Sequence, residues 1–470
     1  MNFLNLFLQK EKQTPLYYQL YRHIAQGVMA GDLPEGEKLP GKRTAASQLG
    51  VSVNTVDQAY QMLAAEGYVT AHARSGFVVN RVEAMLPAGG QMAKKSMPQK
   101  SEKTAAKKYS FATGDIDPAL FPRKTWNRLL REVLSEDSGL FARGEGAGEE
   151  ELRLALTAYL KEYRGVRCDA EQIVVGAGLE VLVGMLARLY AGGLAALENP
   201  GYPKTMHILN NNGLKTLPLA IDDFGMRRES LEKAGASLAY LTPSHQYPTG
   251  QVMPVGRRME LLQWAAEGDR LLVEDDYDSE FRFDGRPLPS LQGMDHAGCV
   301  VYAGTFSRSL APGLRAAYMV LPPKVLQRWR QAYGEYACTV SRPEQRTLAR
   351  FLQGGYFARN LNRMRVTYKE RREWLVNALK QSFVNLEYTT ENLHTGLYFV
   401  ARLHNKNATA IAKKARENGI AVRALAEYCL ETKTQMPGTE DALVLGYGGF
   451  SSAQQEIQAV DMLAQIAAQI

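Results

Sequence analysis

Residues 302–315 read YAGTFSRSLAPGLR and follow an apolar run. Thr305 and Ser307 supply hydroxyl donors, and Arg315 can hold a phosphate through two parallel hydrogen bonds. This composition predicts a phosphate-binding turn built around one reactive side chain. The residue in that place is Arg308, whose guanidinium stays protonated at neutral pH and forms no stable imine. The stretch therefore predicts a binding site from which covalent chemistry has been removed.

Short apolar runs alternate with helical stretches on both sides of this turn. The runs are QIVVGAG, LAALENP, LAYLTP, RLLVEDD and CVVYAG. Apolar runs of this kind, each ending in Gly, Pro or acidic residues, predict parallel strands that are covered on both faces. In such α/β sheets ligands bind at the carboxyl ends of the strands.

Two of these strand ends carry groups that suit a phosphorylated ring. The segment GAGLE (176–180) opens a helix, so the amides of Ala177, Gly178 and Leu179 can hold a phosphate, although small residues before a helix are also common elsewhere. Tyr202 follows the LAALENP run, where its ring can stack on a flat cofactor or serve as an ordinary core residue.

The run RLLVEDD is followed by a second pair of candidate residues. Asp275 and Tyr277 lie two positions apart, which puts both side chains on one side of an extended segment. The aspartate can keep a pyridine nitrogen protonated, and the tyrosine hydroxyl can bind a phenolate oxygen. Taken alone, the carboxylate cluster also suits a metal ligand set or a solvated turn.

The first eighty residues have the pattern of a winged helix-turn-helix. We predict an amphipathic helix after Pro15, a helix over 42–49, a turn at 50–52, a helix over 53–66 and two short strands, GYVT and GFVV. The second helix of the motif enters the major groove by its N-terminal end. The expected DNA-contacting residues are Arg43, Ser52, Asn54, Thr55, Gln58, Arg74 and Gly76. The alternative is a helical dimerisation module whose polar residues are merely solvated.

The net charge of +7 does not by itself indicate DNA binding, because of where it lies. Residues 1–80 carry seven Lys and Arg against six Asp and Glu, whereas residues 81–109 carry seven against two. The second segment is poor in branched and aromatic residues and is predicted to be a flexible basic linker.

The remaining composition excludes several classes of protein. The chain has no run of 18 uncharged apolar residues, so no membrane span is predicted. The N-terminal charges follow the apolar stretch, whereas in a signal peptide they precede it. The four cysteines have no CxxC spacing, so neither a zinc site nor a disulfide framework is expected, and the chain is expected in the cytoplasm.

The motifs resemble known families when they are taken together. LPGKRTAASQLGVSVNTVDQAYQMLAAEGYV resembles the winged helix of GntR-type regulators, with Val53 in place of their usual Arg and Asp57 adding a negative charge to the same helix. The second part, with ENPGY, TPSHQYPTG, EDDYDSEFRFDGRPLPSLQGMD and GTFSRSLAPGLR, resembles fold-type I aminotransferases that use pyridoxal phosphate. A winged helix followed by an aminotransferase-like part resembles the arrangement in MocR/GabR-type transcriptional regulators.

The resemblance implies an architecture and a set of partners. It implies a winged helix in 1–80, a linker in 81–109, and in 110–470 a fold-type I transferase-like domain, with a mostly parallel seven-stranded sheet and a small C-terminal α+β part. It also implies a head-to-tail homodimer, a double-stranded DNA operator, a small-molecule effector and pyridoxal phosphate as cofactor. The implied cofactor contacts are Ala177, Gly178, Leu179, Tyr202, Asp275, Tyr277, Thr305, Ser307, Arg308 and Arg315.

Arg308 occupies the place of the family's Schiff-base lysine. Pyridoxal phosphate is therefore expected to bind without a covalent bond, which would form only with Lys at 308. Val444 stands where amino-acid-using members have a carboxylate-binding Arg, and Arg423 is a possible substitute. The chain is expected to be a ligand-responsive regulator without enzyme activity. The alternatives are a working aminotransferase, an engineered Lys→Arg variant and a scaffold with two vestigial halves.

Overall fold

The computed structural model describes residues 8, 14–72, 76–81, 108–136, 138–283, 288–431 and 438–470. The chain forms two compact units, Met1–Glu102 and Lys103–Ile470. The predicted wing residue Arg74 and all but the ends of the predicted linker lie outside the described residues.

The first unit contains three helices followed by a hairpin. Its elements are α1 (Leu16–Ala30), α2 (Lys42–Leu49), α3 (Val53–Ala65), β1 (Val69–His72) and β2 (Gly76–Val79). The core consists of apolar side chains from one face of α1, one face of α3 and the hairpin. Val56, Tyr60 and Leu63 of α3 are fully buried, as their spacing predicts.

Local chemistry sets the turn between α2 and α3. Gly50 ends α2 with a φ of 63°, a left-handed conformation that glycine adopts without strain. Ser52 then caps α3, because its side-chain oxygen accepts a hydrogen bond from the amide of Thr55 at 3.1 Å. Asp57 on α3 forms an ion pair with Lys42 on α2. The negative charge that the sequence places on α3 is therefore balanced within the unit.

The second unit is an α/β structure with a large and a small sheet. Its strands are β3 (Tyr109–Ser110), β4 (Ile173–Gly176), β5 (Leu194–Asn199), β6 (Lys215–Ala220), β7 (Leu238–Leu241), β8 (Leu271–Asp276), β9 (Val300–Thr305), β10 (Ala317–Val320), β11 (Tyr388–Glu391), β12 (Tyr398–Leu403), β13 (Ile420–Ala421), β14 (Arg423–Ala424) and β15 (Ala442–Gly446). Its helices are α4 (Arg123–Glu136), α5 (Glu150–Arg164), α6 (Leu179–Leu189), α7 (Pro203–Asn211), α8 (Arg228–Ala234), α9 (Val255–Glu267), α10 (Leu291–Met294), α11 (Pro323–Tyr333), α12 (Arg342–Gln353), α13 (Tyr356–Ser382), α14 (Ala408–Glu417) and α15 (Ala453–Gln469).

The large sheet has seven strands in the order β4-β10-β9-β8-β7-β5-β6. Strands β5 to β9 pair in parallel, and β10 runs antiparallel to both of its neighbours. The mostly parallel seven-stranded sheet is thus confirmed. The five apolar runs form β4, β5, β7, β8 and β9. The edge strand β6 had no comparable signal, because its residues are only partly buried and it contains Pro218, which an edge tolerates.

Successive residues of the central strands pack into cores on opposite faces of the large sheet. Leu197 and Val273 join a core with Leu182 of α6 and Trp329 of α11. Ala196 and Leu272, one position earlier, join a separate core with Leu261 and Trp264 of α9. Coverage of both faces explains why these strands are uniformly apolar. The strand ends are then the accessible part of the sheet.

The small sheet is antiparallel, in the order β11-β12-β15-β14, and β13 pairs with β3. The long helix α13 and the last helix α15 pack together beside it. No helix in the described part of the chain combines the length and apolar character needed to cross a bilayer.

Candidate functional site: a cavity at the strand ends and an exposed helix start

A cavity of about 630 Å³ lies where the carboxyl ends of the large sheet meet residues of the small sheet. The residues predicted from sequence that line it are Leu179, Tyr202, Asp275, Tyr277, Thr305, Ser307, Arg308 and Arg315. Ala177 and Gly178 do not line it. A parallel sheet brings these residues together because the carboxyl ends of its strands meet at one edge.

Asp275, near the end of β8, points a buried carboxylate into the cavity. Its Oδ2 accepts a hydrogen bond from the Tyr240 hydroxyl at 2.5 Å, and its Oδ1 is buried with no hydrogen-bond partner. Burial raises the pKa of Asp275 to about 7, with further contributions from the nearby carboxylates of Asp276, Asp278 and Glu198. Such a carboxyl gains from a ligand that donates a hydrogen bond to Oδ1.

Tyr277 also lines the cavity, but its hydroxyl belongs to a buried network. The hydroxyl lies 2.7 Å from the Tyr398 hydroxyl and 3.0 Å from the backbone oxygen of His245. The His245 ring is in turn held by Asp278 at 2.9 Å. Burial raises the pKa of Tyr277 well above its ordinary value. The Tyr277 hydroxyl therefore stays protonated, and contacts within the protein fix its orientation without any ligand.

Arg308 is an unpaired cation of the cavity wall. Its Nη1 is buried without a hydrogen-bond partner, and no carboxylate in the described part of the chain forms an ion pair with it. Gly114 is close enough that a Cβ built there would lie 3.9 Å from the Arg308 Nη1. A buried cationic donor of this kind favours an anionic or strongly polar acceptor in the cavity.

Hydroxyl groups and Arg315 form the predicted phosphate end. The hydroxyls of Thr305 and Ser307 lie 2.9 Å apart, and the amide of Ser307 donates to Thr305 Oγ1 at 3.1 Å. The Arg315 guanidinium forms an ion pair with Glu180 at 3.2 Å, and Lys204 binds the same carboxylate. Hydrogen bonding from Lys204 is the main reason that the pKa of Glu180 is lowered. Two cations thus share one carboxylate here.

The segment before α6 contributes fewer free backbone amides to the predicted phosphate end than its sequence suggests. The Ala177 amide donates to Thr339 Oγ1 at 2.8 Å, and the Gly178 amide donates to the Gly176 oxygen at 2.7 Å. Both are therefore committed within the protein. The amide of Leu179 opens the helix, where backbone N–H groups have no partner in the helix itself. Gly178 has a φ of 93°, and any Cβ there would collide with the Arg315 guanidinium.

Tyr202 belongs to a row of aromatic rings along the wall. Its ring is 45% exposed and lies 5.2 Å, edge-on, from the ring of Tyr247. Tyr247 contacts Tyr428 at 5.4 Å, also edge-on. The exposed ring of Tyr202 is available for a flat ligand, whereas Tyr428 is buried.

Several lining residues were not identified from the sequence. Tyr240 lies inside an apolar run that forms a buried strand. A tyrosine hydroxyl in such a strand needs a hydrogen-bond partner, and this requirement was the signal that could have identified Tyr240. Glu198 lies one residue before the end of β5, and burial raises its pKa to about 7. Arg416 of α14 also reaches the cavity, and nothing in its local sequence indicates that placement. Arg423 of β14, named above as a possible substitute for a carboxylate-binding arginine, lines the cavity as well.

The start of α3 and the neighbouring end of α2 present exposed polar groups. Arg43, Asn54 and Gln58 are exposed. The hydroxyls of Ser52 and Thr55 lie 2.9 Å apart, so each has a partner within the helix cap. Gly76, at the start of β2, has a φ of 95°.

Comparison with known proteins identifies both parts of the chain. Residues 16–79 match the family described as "Bacterial regulatory proteins, gntR family". The chain is 32% identical, over 94% of its length and 92% of the other's, to the probable rhizopine catabolism regulatory protein MocR of Rhizobium meliloti. It is 29% identical, over 95% of its length and 94% of the other's, to the pyridoxine biosynthesis transcriptional regulator PdxR of Corynebacterium glutamicum.

The structure is also similar to solved aminotransferases. The crystal structure of an archaeal alanine:glyoxylate aminotransferase superimposes with a TM-score of 0.67 at 26% identity. The match covers 77% of this chain and 91% of that one.

Proposed function

The chain belongs to the MocR-type transcriptional regulators, which join a GntR-type DNA-binding domain to an aminotransferase-like domain, and we propose that this member responds to a vitamin B6 phosphate held without a covalent bond. The observation that carries the proposal is the pair of unpartnered buried atoms in the cavity, Asp275 Oδ1 and Arg308 Nη1. Asp275 Oδ1 can accept a hydrogen bond from a ligand, and Arg308 Nη1 can donate one to it.

The residues of the cavity fit pyridoxal phosphate. Asp275 Oδ1 suits the ring nitrogen, because a buried carboxylate stabilises a protonated pyridine. Arg308 can donate to the aldehyde or phenolate oxygen. The phosphate would be held by the hydroxyls of Thr305 and Ser307, the amide of Leu179 and the guanidinium of Arg315. Tyr202 offers an exposed ring face to the pyridine.

The chemistry that pyridoxal phosphate supplies in enzymes is an aldehyde that condenses with amines and a ring that withdraws electrons. In this chain the corresponding residue is Arg308, and a guanidinium can bind and orient the aldehyde but forms no stable imine with it. Lys204 is the one lysine among the described lining residues, and its amine is held by Glu180. Lys324 lies on α11, paired with Asp269 at 2.7 Å. We therefore propose that this domain has no aminotransferase activity.

The DNA side of the proposal rests on the exposed groups of the first unit. Asn54 and Gln58 lie one turn apart on α3, and Arg43 lies near the start of α2. These side chains are proposed to contact base edges and phosphates of a double-stranded operator, with Ser52, Thr55 and the wing at the backbone. We propose that a homodimer places two such helices on two half-sites.

The test compares the protein with Arg308→Lys by titration with pyridoxal phosphate followed by borohydride reduction. The unmodified chain should bind the ligand reversibly and gain no pyridoxyl mass in mass spectrometry. Arg308→Lys should gain that mass on residue 308, because the other contacts still hold the ligand. It should not gain fast turnover with amino acids.

The matched control is Lys204→Met, which removes the cavity's own lysine. Reversible binding should persist in this variant. A pyridoxyl group fixed to the unmodified chain at Lys204 would show that another lysine has replaced position 308. Absence of any binding by both the unmodified chain and Arg308→Lys would refute the proposal.

A further inference from the structure

Two helices of the second unit carry a local excess of positive charge that the cavity does not use. Residues 118–136 and 354–369, which contain α4 and the start of α13, have eight Lys and Arg against two Asp and Glu. Residues 110–470 as a whole have a net charge of only +1, so the excess is concentrated here. Six exposed residues of these helices form what we call the basic surface: Arg123, Lys124, Arg128, Arg131, Arg359 and Arg363.

The six cations lie opposite the core-facing sides of their helices. Trp126, Leu129 and Val133 of α4 are buried, and at 3.6 residues per turn the four cations of this helix fall on its other side. Arg359 and Arg363 lie one turn apart on the exposed side of α13. Each helix therefore presents one charged stripe to solvent.

Contacts between the two helices place these stripes side by side. The guanidinium carbons of Arg128 and Arg359 lie 5.4 Å and 4.7 Å from the centre of the Tyr356 ring. Arg363 donates to the backbone oxygen of Leu120, just before α4, at 2.8 Å. These contacts restrain the guanidinium groups, which lowers the side-chain entropy that is lost when an anion binds.

Most of these charges have no counter-ion within the protein. Arg128 pairs with Glu132 at 2.6 Å. The other five cations of the basic surface form no ion pair with a carboxylate in the ranges that the structure describes. Cations that are grouped in this way repel one another, so binding of a polyanion is favourable.

Double-stranded DNA is the polyanion that the rest of the chain brings close. Residues 16–79 match a DNA-binding family, and the covalent connection keeps any DNA bound there near the second unit. The four cations of α4 extend over about 12 Å of helix axis, a length in which DNA carries about seven phosphates. Resting on the DNA binding of the proposed function, we infer that the basic surface binds the phosphate backbone of DNA outside the sequence that the winged helix reads. Such contacts add affinity without adding sequence information.

The salt dependence of DNA binding by the full chain tests this inference. Two DNAs are compared: the operator selected from a random pool, and the same operator extended on each side by two helical turns, about 20 base pairs. The unmodified chain should bind the extended DNA about tenfold more tightly, with a steeper dependence on salt.

The triple variant Arg123→Gln, Lys124→Gln, Arg359→Gln should lose this gain and bind the operator alone as the unmodified chain does. On the extended DNA its slope of log K against log salt concentration should be smaller by about two to three for each bound copy of the chain, since each phosphate contact contributes about 0.9. Arg363 is left in place because its bond to Leu120 joins the two helices.

The control is the triple variant Lys215→Gln, Lys233→Gln, Lys413→Gln, which removes the same charge from exposed positions on β6, α8 and α14. It should keep both the gain and the slope, and thermal unfolding should show that both variants are folded. Equal affinity of the unmodified chain for the two DNAs, or equal losses in both variants, would overturn the inference and leave the proposed function standing.

The same variants also distinguish DNA from an anionic membrane. A gain on extended DNA that survives in the basic-surface variant, together with binding to phosphatidylglycerol vesicles that is lost in it, would assign the surface to lipid and overturn the inference. Failure of the unmodified chain to bind any selected operator would refute the DNA side of the proposed function, and the inference with it.

Discussion

At the scale of the residue, the side chain at position 308 determines whether the cavity can form a covalent bond with an aldehyde. The surrounding groups suit a phosphorylated pyridine ring, yet a guanidinium at the centre has no free electron pair to attack an aldehyde at neutral pH. Its Nη1 is buried and lacks a partner, and so does the Oδ1 of Asp275. Unsatisfied buried polar groups destabilise a protein by about 1–3 kcal/mol each. A ligand that satisfies both groups recovers this energy on binding.

Replacing Asp275 by alanine should weaken the binding of pyridoxal phosphate. The change removes the acceptor for the ring nitrogen and leaves the Tyr240 hydroxyl without its partner. We expect a loss of about 1.5–3 kcal/mol in binding free energy, the range for hydrogen bonds to charged groups. Titration of the variant measures it. Unchanged affinity would mean that the ring nitrogen does not lie at Asp275.

Arg315→Ala and Glu180→Gln should change ligand affinity in opposite directions. Arg315 is proposed to hold the phosphate, so its loss should weaken the binding of pyridoxamine phosphate. Glu180 carries a negative charge close to that phosphate and pairs with Arg315 and Lys204. Neutralising it frees both cations and should tighten binding. Equal weakening in both variants would place the phosphate elsewhere.

At the scale of the element, α3 combines a core face with an exposed start. Its buried residues recur at helical spacing, and Ser52 fixes the point where the helix begins. The ion pair between Asp57 and Lys42 connects α3 to α2 and neutralises the acidic group. The exposed start of α3 is therefore capped by Ser52, and Lys42 offsets the repulsion between Asp57 and DNA phosphates.

Asn54→Ala and Arg43→Ala should each weaken operator binding by about 1–3 kcal/mol, as expected for the loss of a base or charged phosphate contact. The DNA would be a site selected from a random pool with the full chain, and affinity would be measured by fluorescence anisotropy. Gln61→Ala, exposed two turns further along α3, is the control and should bind normally. Normal binding by both variants would show that α3 is not the reading helix.

Helix α15 contains a buried carboxyl whose ionisation opposes folding. Glu456 is fully buried, neither oxygen has a hydrogen-bond partner, and burial raises its pKa to about 9 from an ordinary value near 4.5. Between these two pH values the folded chain keeps a proton that the unfolded chain releases. The free energy of unfolding therefore falls as pH rises through this window, by at most about 1.4 kcal/mol per pH unit from this group.

Glu456→Gln removes this titration, so its stability advantage over the unmodified chain should grow as pH rises through the window. Thermal or urea unfolding at several pH values measures the difference. Glu417→Gln on the exposed side of α14 is the control and should show no comparable trend. An advantage of Glu456→Gln that stays constant with pH would show that Glu456 does not titrate as inferred.

At the scale of the whole molecule, the distribution of charge bears on how DNA is bound. Residues 1–80 have a net charge of only +1, so one winged helix has little electrostatic attraction for phosphates. Two copies acting together double the number of contacts without requiring stronger individual ones. This favours a dimer that reads two half-sites.

Operator binding should accordingly require two half-sites. DNA with one half-site removed should bind far more weakly than the intact site, and light scattering should show two copies of the chain on the intact DNA. The physical reason is that the second contact becomes intramolecular once the first has formed. Equal affinity for one and two half-sites would show that a single winged helix suffices.

The sequence by itself determined the elements of the winged helix and five strands of the large sheet, and it predicted eight of the residues that line the cavity. Apolar runs marked five strands of the large sheet, and a glycine and a serine marked the turn before α3. The chemistry of Arg308 alone predicts a residue that binds without forming an imine. These properties depend on neighbours within a few residues, so they leave a local pattern.

Only the tertiary structure decided which of those groups are free to bind. The amide of Ala177 is taken by Thr339, Arg315 is paired with Glu180, and Arg423 lies opposite Val444. Each partner is brought in by another segment of the fold, and the first two are more than a hundred residues away in sequence. Such pairings follow from strand order and register, which bring distant segments together. Neither segment carries a local sequence pattern that predicts the pairing. Availability of a side chain is therefore a property of the whole fold, whereas its chemistry belongs to the residue.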